Sequence, residues 1–242
     1  LLFTRRDLDV NSKDINGRTA LHVATEMQHS NSVYTLLNHP SILPNEVDKN
    51  DNSAFSIALS LHNFSLITMF VSDPDIYLDV ERLKDSDLLQ NFASKGNIEA
   101  VVGLVQRGFT PDRLDALGRT ALTIALGNGD VEMVRILLGT RQIDINRTYK
   151  NNESLLHLAT LNKKASRCLK LIMLYPGCNL NAKDKKGNTA LHLAACTQTL
   201  NAVDLLLSDQ RVDKNPVNQE GLTPLHLAVL TGDTDICELF FD

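Results

Sequence analysis

Short apolar segments that follow a threonine or serine recur along the chain. Their leucine, isoleucine and alanine residues are spaced as on one face of a helix. A hydroxyl side chain just before such a face is a typical N-cap, because its oxygen accepts hydrogen bonds from unpaired backbone N–H groups. A second apolar segment follows, as in residues 131–138 and 202–207. The pattern therefore predicts pairs of short helices.

The first helix of each pair returns at a nearly constant spacing. Its hydroxyl residue, called the anchor below, is found at Thr19, Ser53, Thr120, Ser154, Thr189 and Thr223. The gap between Ser53 and Thr120 is two periods, and residues 87–93, which begin with Asp87, supply the missing copy. The spacings are then 34, 34, 33, 34, 35 and 34 residues. This regularity predicts seven tandem repeats.

The sequence within one period resembles the ankyrin repeat family. Gly-Arg-Thr-Ala-Leu-His-Val-Ala at residues 17–24 and Gly-Asn-Thr-Ala-Leu-His-Leu-Ala at residues 187–194 are similar to the family's T-P-L-H-x-A helix start. The resemblance covers the whole chain and implies an all-α solenoid of helix-turn-helix units joined by β-hairpin-like loops. We expect residues 1–242 to form a single ankyrin-repeat domain, with signature helices that start near residues 19, 53, 87, 120, 154, 189 and 223.

Two features depart from this regular pattern. Repeat three has Phe92 where the other repeats have alanine, and a phenyl ring where helices approach closely needs a small neighbour or pushes the helices apart. We interpret repeat three either as a degenerate internal repeat or as a hinge between two blocks. The chain begins at Leu1 and ends after Phe241 in mid-repeat, which predicts a fragment of a longer protein.

Composition and charge argue against several classes of protein. No apolar run approaches the roughly 18 residues of a membrane-spanning helix, and a net charge of -5 argues against a general nucleic-acid binder. The four cysteines show no CxxC spacing, which favours reduced thiols over a disulfide framework or a zinc site. We therefore expect a cytoplasmic protein, with the nucleus left open, that binds no nucleic acid and inserts into no membrane.

We expect no catalytic site, no cofactor and no metal. One histidine recurs at the third position after the anchor, as His22, His157, His192 and His226. Stacked helices lie roughly 10 Å apart, so these imidazoles cannot share one metal ion. The resemblance implies instead that they bond across turns between repeats. No nucleophile constellation, phosphate-binding loop or HExxH pattern occurs.

We predict that a partner protein binds the concave face, which includes the exposed side of the first helices, and the hairpin tips, where the resemblance places partners. The predicted binding residues are Arg18, Met27, Leu61, Arg119, Lys150, Leu161, Lys163, Lys164, Lys185, Lys186 and Leu230. Cations and apolar groups in one groove suit an extended or helical segment with acidic and apolar residues. The alternatives are solvated charge for the lysines and partial burial against the next repeat for the apolar residues.

Three functions stay open at this point. The first is a non-enzymatic protein-binding module or scaffold, which we expect to be a monomer. The second is a regulatory or spectator array that packs against the rest of a larger enzyme, channel or trafficking scaffold. The third is a pathogen effector that binds host proteins.

Two hairpin asparagines predict a modification. Asn146 and Asn215 each follow an aspartate by two residues and a leucine by eight. This arrangement is similar to ankyrin hairpin asparagines that an iron- and oxoglutarate-dependent hydroxylase modifies. The alternative is that each amide only satisfies its turn.

Overall fold

The computed structural model of the protein describes residues 8–79, 83 and 86–241. These residues contain fourteen α-helices and two single turns of 3-10 helix. Extended pairing within them is limited to two isolated bridges, which join Val47 to Ser53 and Thr148 to Ser154. The prediction of an all-α ankyrin-type fold is therefore confirmed.

The helices come in seven pairs. In chain order the pairs are Ala20–Glu26 with Ser30–Leu37, Ala54–Ser60 with Phe64–Ser72, Leu88–Ser94 with Ile98–Gln106, Ala121–Asn128 with Val131–Gly139, Leu155–Leu161 with Ser166–Met173, Ala190–Cys196 with Leu200–Leu207, and Pro224–Thr231 with Thr234–Glu238. The 3-10 turns are Lys150–Asn152 and Lys163–Ala165. Each first helix begins one residue after its anchor.

The chain divides into two compact units, and the division falls within repeat three. One unit consists of Leu1–Ser86 and Glu99–Phe109, the other of Asp87–Ile98 and Thr110–Asp242. In the first unit, the helices Ala20–Glu26 and Ala54–Ser60 pack against each other. In the second unit, the first helices of repeats three to seven pack in succession, each against the next.

Small residues allow this packing. Five residues after the anchor, the side chain is buried in every repeat, and in six of the seven it is alanine: Ala24, Ala58, Ala125, Ala159, Ala194 and Ala228. Phe92 takes this position in repeat three and is fully buried. Its helix packs against Ala121–Asn128, where Ala121 and Ala125 are also fully buried. The core of the second unit thus accommodates the phenyl ring, while the hinge interpretation stays a prediction.

Buried histidines join consecutive repeats. The backbone N–H groups of Thr19, Ser154 and Thr189 donate to Nδ1 of the histidine three residues later, at 3.1, 3.2 and 3.1 Å. A ring nitrogen that accepts an N–H carries no proton, so this contact assigns the ring N–H to Nε2. Nε2 then donates to the carbonyl just before the next anchor, with distances of 3.0 Å from His22 to Asn52, 2.9 Å from His157 to Asn188, and 3.0 Å from His192 to Leu222.

This arrangement predicts a loss of stability in mild acid. Burial lowers the pKa of His192 below its ordinary value of 6.5, and the bond to the Leu222 carbonyl opposes the effect only in part. The unfolded imidazole therefore binds a proton more readily than the folded one. The stabilisation is complete above about pH 6.5 and is lost as the pH falls through the lowered folded pKa. Urea unfolding at a series of pH values should show that the free energy of unfolding decreases as the pH falls below about 6.5.

The control is His192→Gln, because Gln90 already occupies the same position in repeat three and donates from Nε2 to the Arg113 carbonyl at 2.8 Å. Glutamine keeps a donor but does not titrate, so this variant should lose less stability in acid than the unsubstituted protein. An equal loss of stability in acid by the two proteins would contradict the assignment of a neutral His192 that bonds to both repeats.

Candidate partner-binding surface

The hairpin tips of repeats five, six and seven are hydrogen-bonded to one another through the backbone. Lys185 N donates to Asn151 O at 2.8 Å, and Gln219 N donates to Lys186 O at 2.9 Å. The Asp184 carboxylate fixes the tip of repeat six, since one of its oxygens accepts from Lys186 N and Asn188 N, both at 2.8 Å. The backbone that bears the tip lysines is therefore fixed by hydrogen bonds within and between the hairpins.

Glycine is required where two of these tips meet. Gly187 has a φ of 78°, and a Cβ added to it would lie 3.0 Å from Gln219 N. A side chain at this position would strain the turn and press on the next tip. The sequence Asp-Lys-Lys-Gly at residues 184–187 thus serves both to close the turn and to expose two adjacent lysines.

Four of the predicted lysines are exposed and have no ion pair within the described residues: Lys150, Lys164, Lys185 and Lys186. All four belong to repeats five and six of the second unit. Lys163 lies on the 3-10 turn beside Lys164, and its side chain is outside the part of the chain that the structure describes. Within the described residues, these four ammonium groups are therefore not held in salt bridges.

The two predicted arginines differ from these lysines. Arg18 pairs with Asp14 at 2.9 Å and with Glu26 at 2.7 Å, and Arg119 pairs with Asp115 at 2.8 Å. The Arg18 N–H bond to Asp14 lowers the pKa of that carboxyl. Burial disfavours ionised Asp115, but the bonds from Arg119 outweigh it and lower the pKa of the carboxyl. Both arginines therefore hold their own turns together, and the aspartate four residues before each was a signal of this in the sequence.

The predicted apolar residues are all accessible. The exposed fractions are 57% for Met27, 38% for Leu61, 43% for Leu161 and 72% for Leu230. Met27 and Leu61 belong to the first unit and the two leucines to the second. The structure thus places Leu161 and Leu230 in the same unit as the unpaired lysines.

Further accessible apolar residues, which the prediction missed, lie on the same first helices. Leu158, Leu193 and Leu227 are half-buried at the fourth position after their anchors, and Cys196 is exposed at the seventh. With Leu161 and Leu230 they make one pair of residues per helix, three positions apart and therefore on one helix face. We call these six residues the leucine strip. The spacing alone could have revealed it, had the fourth and seventh positions been compared across repeats.

Hairpin asparagines connect neighbouring hairpins. Asn146 Nδ2 donates to Gly177 O, and Asn146 Oδ1 accepts from Asn179 N, both at 2.8 Å. Asn181 bridges to Arg211 O and Asp213 N in the same way. Asn215, in the last hairpin, is exposed, and its side-chain amide has no hydrogen-bond partner within the described residues. The two asparagines predicted to be modified are therefore in different environments.

Family models match the chain from positions close to the starts of its repeats. A family model described as ankyrin repeats in three copies matches residues 55–149, 88–184 and 156–242, and a single ankyrin-repeat model matches residues 16–49. No helix in the described part of the chain is long and apolar enough to cross a membrane.

Three curated proteins illustrate the range of relatives. The chain is 28% identical over 197 residues to the nuclear factor NF-kappa-B p105 subunit of Gallus gallus, which covers 78% of this chain and 20% of that protein. It is 28% identical to the potassium channel AKT2/3 of Arabidopsis thaliana, covering 73% and 22% of the two chains. It is 29% identical to human Rabankyrin-5, covering 93% and 22%. The chain thus spans only about a fifth of the length of each relative.

The asparagine environments predict unequal modification. A hydroxylase that acts on asparagine should reach Asn215 more readily, because Asn146 must first release both bonds of its amide. After co-expression with an iron- and oxoglutarate-dependent asparaginyl hydroxylase, peptide mass spectra should show one added oxygen, with greater occupancy on Asn215. Variants Asn146→Ala and Asn215→Ala assign the sites. Absence of the heavier species at both positions would refute the modification, and greater occupancy on Asn146 would refute the role of the amide bonds.

Proposed function

Because this chain belongs to the ankyrin repeat family, we propose that it is a non-enzymatic protein-interaction module that binds an acidic partner on the second unit. Ankyrin repeats as a class indicate protein–protein interaction, and the finer assignment to this surface is our proposal. The partner contacts the hairpin tips of repeats five and six and the adjoining side of the first helices. It presents a segment with acidic and apolar residues.

The observation that carries this proposal is the cluster of unpaired cations. The chain has a net charge of -5, yet Lys150, Lys164, Lys185 and Lys186 are exposed on repeats five and six without an ion pair among the described residues. Complementary charge mainly raises the association rate and selects among partners. Unpaired lysines on an otherwise acidic protein therefore favour a partner whose contact surface is negative.

The apolar residues beside the lysines would supply affinity. Leu161 and Leu230 keep 43% and 72% of their surface exposed, and each could be desolvated by a partner. Removing apolar surface from water contributes roughly 25 cal/mol per Å² before the costs of association are subtracted. We propose that the module works as a monomer inside the cell, which agrees with its four free cysteines.

A second candidate is an array that packs against other parts of a larger protein. The observation that favours it is the small share, about a fifth, that the chain covers of its relatives, one of which is a potassium channel. Such an array would bury a larger apolar surface than the leucine strip against its own polypeptide. The isolated chain would then expose an apolar face and self-associate, whereas a binding module should remain monomeric in sedimentation experiments.

Charge reversal at the tips tests the proposal. We expect Lys185→Glu with Lys186→Glu to reduce capture of an acidic partner in crosslinking pull-downs from cell lysate by at least about tenfold, because the reversed charges repel it. The matched control is Arg167→Glu with Lys170→Glu, which makes the same charge change on exposed positions of the second helix of repeat five. If both double variants capture the same proteins as the unsubstituted chain, the tip lysines are only solvated charge and the proposal is wrong.

A further inference from the structure

The leucine strip is confined to three repeats. Both the fourth and the seventh residue after the anchor are apolar and accessible only in repeats five to seven, among the described first helices. In repeats one to three the seventh residue is polar: Glu26, Ser60 and Ser94. In repeat four Ile124 is buried and Gly127 has no side chain. The strip is therefore a local feature of one end of the second unit.

The strip has a definite width and spacing. Its two residues per helix are three positions apart, which corresponds to a rise of about 4.5 Å along each helix. The helices Leu155–Leu161, Ala190–Cys196 and Pro224–Thr231 pack in succession, and packed helices are about 8–10 Å apart. The surface is thus narrow along the helices and repeats at about 8–10 Å across them.

Charge lies along the sides of the strip. Lys150, Lys185 and Lys186 are on the hairpin tips that precede the first helices, and Lys164 is on the turn that follows the first helix of repeat five. The strip itself contains no charged residue. A bound segment would therefore contact the apolar side chains of the strip and, on the side of the hairpin tips, the lysine ammonium groups.

From this geometry we propose that the strip binds an acidic segment in the polyproline II conformation, with an apolar residue at every third position. A polyproline II helix has three residues per turn and a rise of 3.1 Å, so its every third side chain lies on one face about 9.3 Å from the last. That spacing matches one apolar pair per repeat. The proposal rests on the proposed function, because it specifies the partner of the same surface.

Other backbone conformations fit the strip less well. In a β-strand, residues three apart point to opposite sides, so they cannot both contact the strip. An α-helix could match the repeat spacing with residues seven apart, but its diameter of about 10–12 Å exceeds the width of the strip. In polyproline II the second and third residues of each triplet point away from the strip, which leaves one of them to carry a carboxylate toward the tip lysines.

Synthetic peptides test the proposal directly. Fluorescence anisotropy would compare a labelled peptide of repeated Leu-Pro-Glu triplets with a peptide of the same composition whose leucines stand in one block. A third peptide, helical and equally acidic, carries leucine at every seventh position. We expect the triplet peptide to bind at least about tenfold more tightly than either, because only it places apolar groups at the spacing of the strip. Equal or tighter binding of the block or helical peptide would overturn the proposal.

Variants of the protein locate the binding. Leu161→Gln and Leu230→Gln should each weaken binding of the triplet peptide by about tenfold, which equals about 1.4 kcal/mol. The control Leu174→Gln makes the same neutral change at a residue that is 65% exposed on the second-helix side of repeat five. Circular dichroism would check that all three variants remain folded. Equal weakening by the control, or none by the strip variants, would contradict the assignment.

The double variant Lys185→Glu with Lys186→Glu separates the two proposals. If it weakens binding of all three peptides while the triplet spacing makes no difference, the acidic-partner proposal stands and the polyproline II proposal fails. A second outcome is that binding of the triplet peptide is weakened by the strip variants but not by the lysine double variant. The spacing proposed for the bound segment would then be right, but its proposed acidic charge, and with it the acidic-partner proposal, would be wrong. If no peptide binds, the polyproline II proposal fails, and the pull-down with tip variants alone decides the proposed function.

Discussion

A buried imidazole that is hydrogen-bonded to two repeats at once sets the stacking after repeats one, five and six. One ring nitrogen accepts the N–H of the anchor in its own repeat, and the other donates to the carbonyl before the next anchor. The ring therefore caps a helix and fixes the position of the following hairpin at once. Buried polar groups are costly when unpaired, so a joint of this kind favours one spacing between repeats over others nearby.

Where the histidine is absent, other side chains make the contacts at the start of the first helix. In repeat four, Thr123 takes the position of the histidine and caps within its own repeat, with Thr120 N donating to Thr123 Oγ1 at 2.9 Å. The Tyr149 hydroxyl of the next repeat lies 3.5 Å from Thr120 Oγ1, and burial raises the pKa of this phenol. In repeat three, Gln90 donates to Arg113 O, but its Oε1 is buried without a partner in the described residues. Repeat three thus combines an irregular joint with the division between the two units.

Because the repeats share one core design, differences between them are concentrated on the surface. Side chains that join repeats are tied to partners about thirty residues away, as Asn146 is to Gly177. Asp112 holds the same hairpin position as Asn146 and pairs instead with Arg147 at 2.7 Å. Positions without such ties are free to vary; in repeats five to seven they carry the leucine strip, and in repeats five and six they also carry the unpaired lysines. Recognition of a partner is therefore separated from the residues that maintain the stack.

The repeat number, the helix starts and the all-α fold could be predicted from the residue pattern, because N-caps, turn glycines and apolar faces are local features that recur at a fixed period. The same pattern also identified Lys150, Lys185 and Lys186 as tip residues. The folded structure was needed to show which charges are unpaired, since Arg18 and Arg119 form ion pairs that depend on turn geometry. It likewise showed that Asn146 is tied and that six residues of three helices form one strip. These last two properties depend on groups about thirty residues apart in the chain, which come together only when repeats stack.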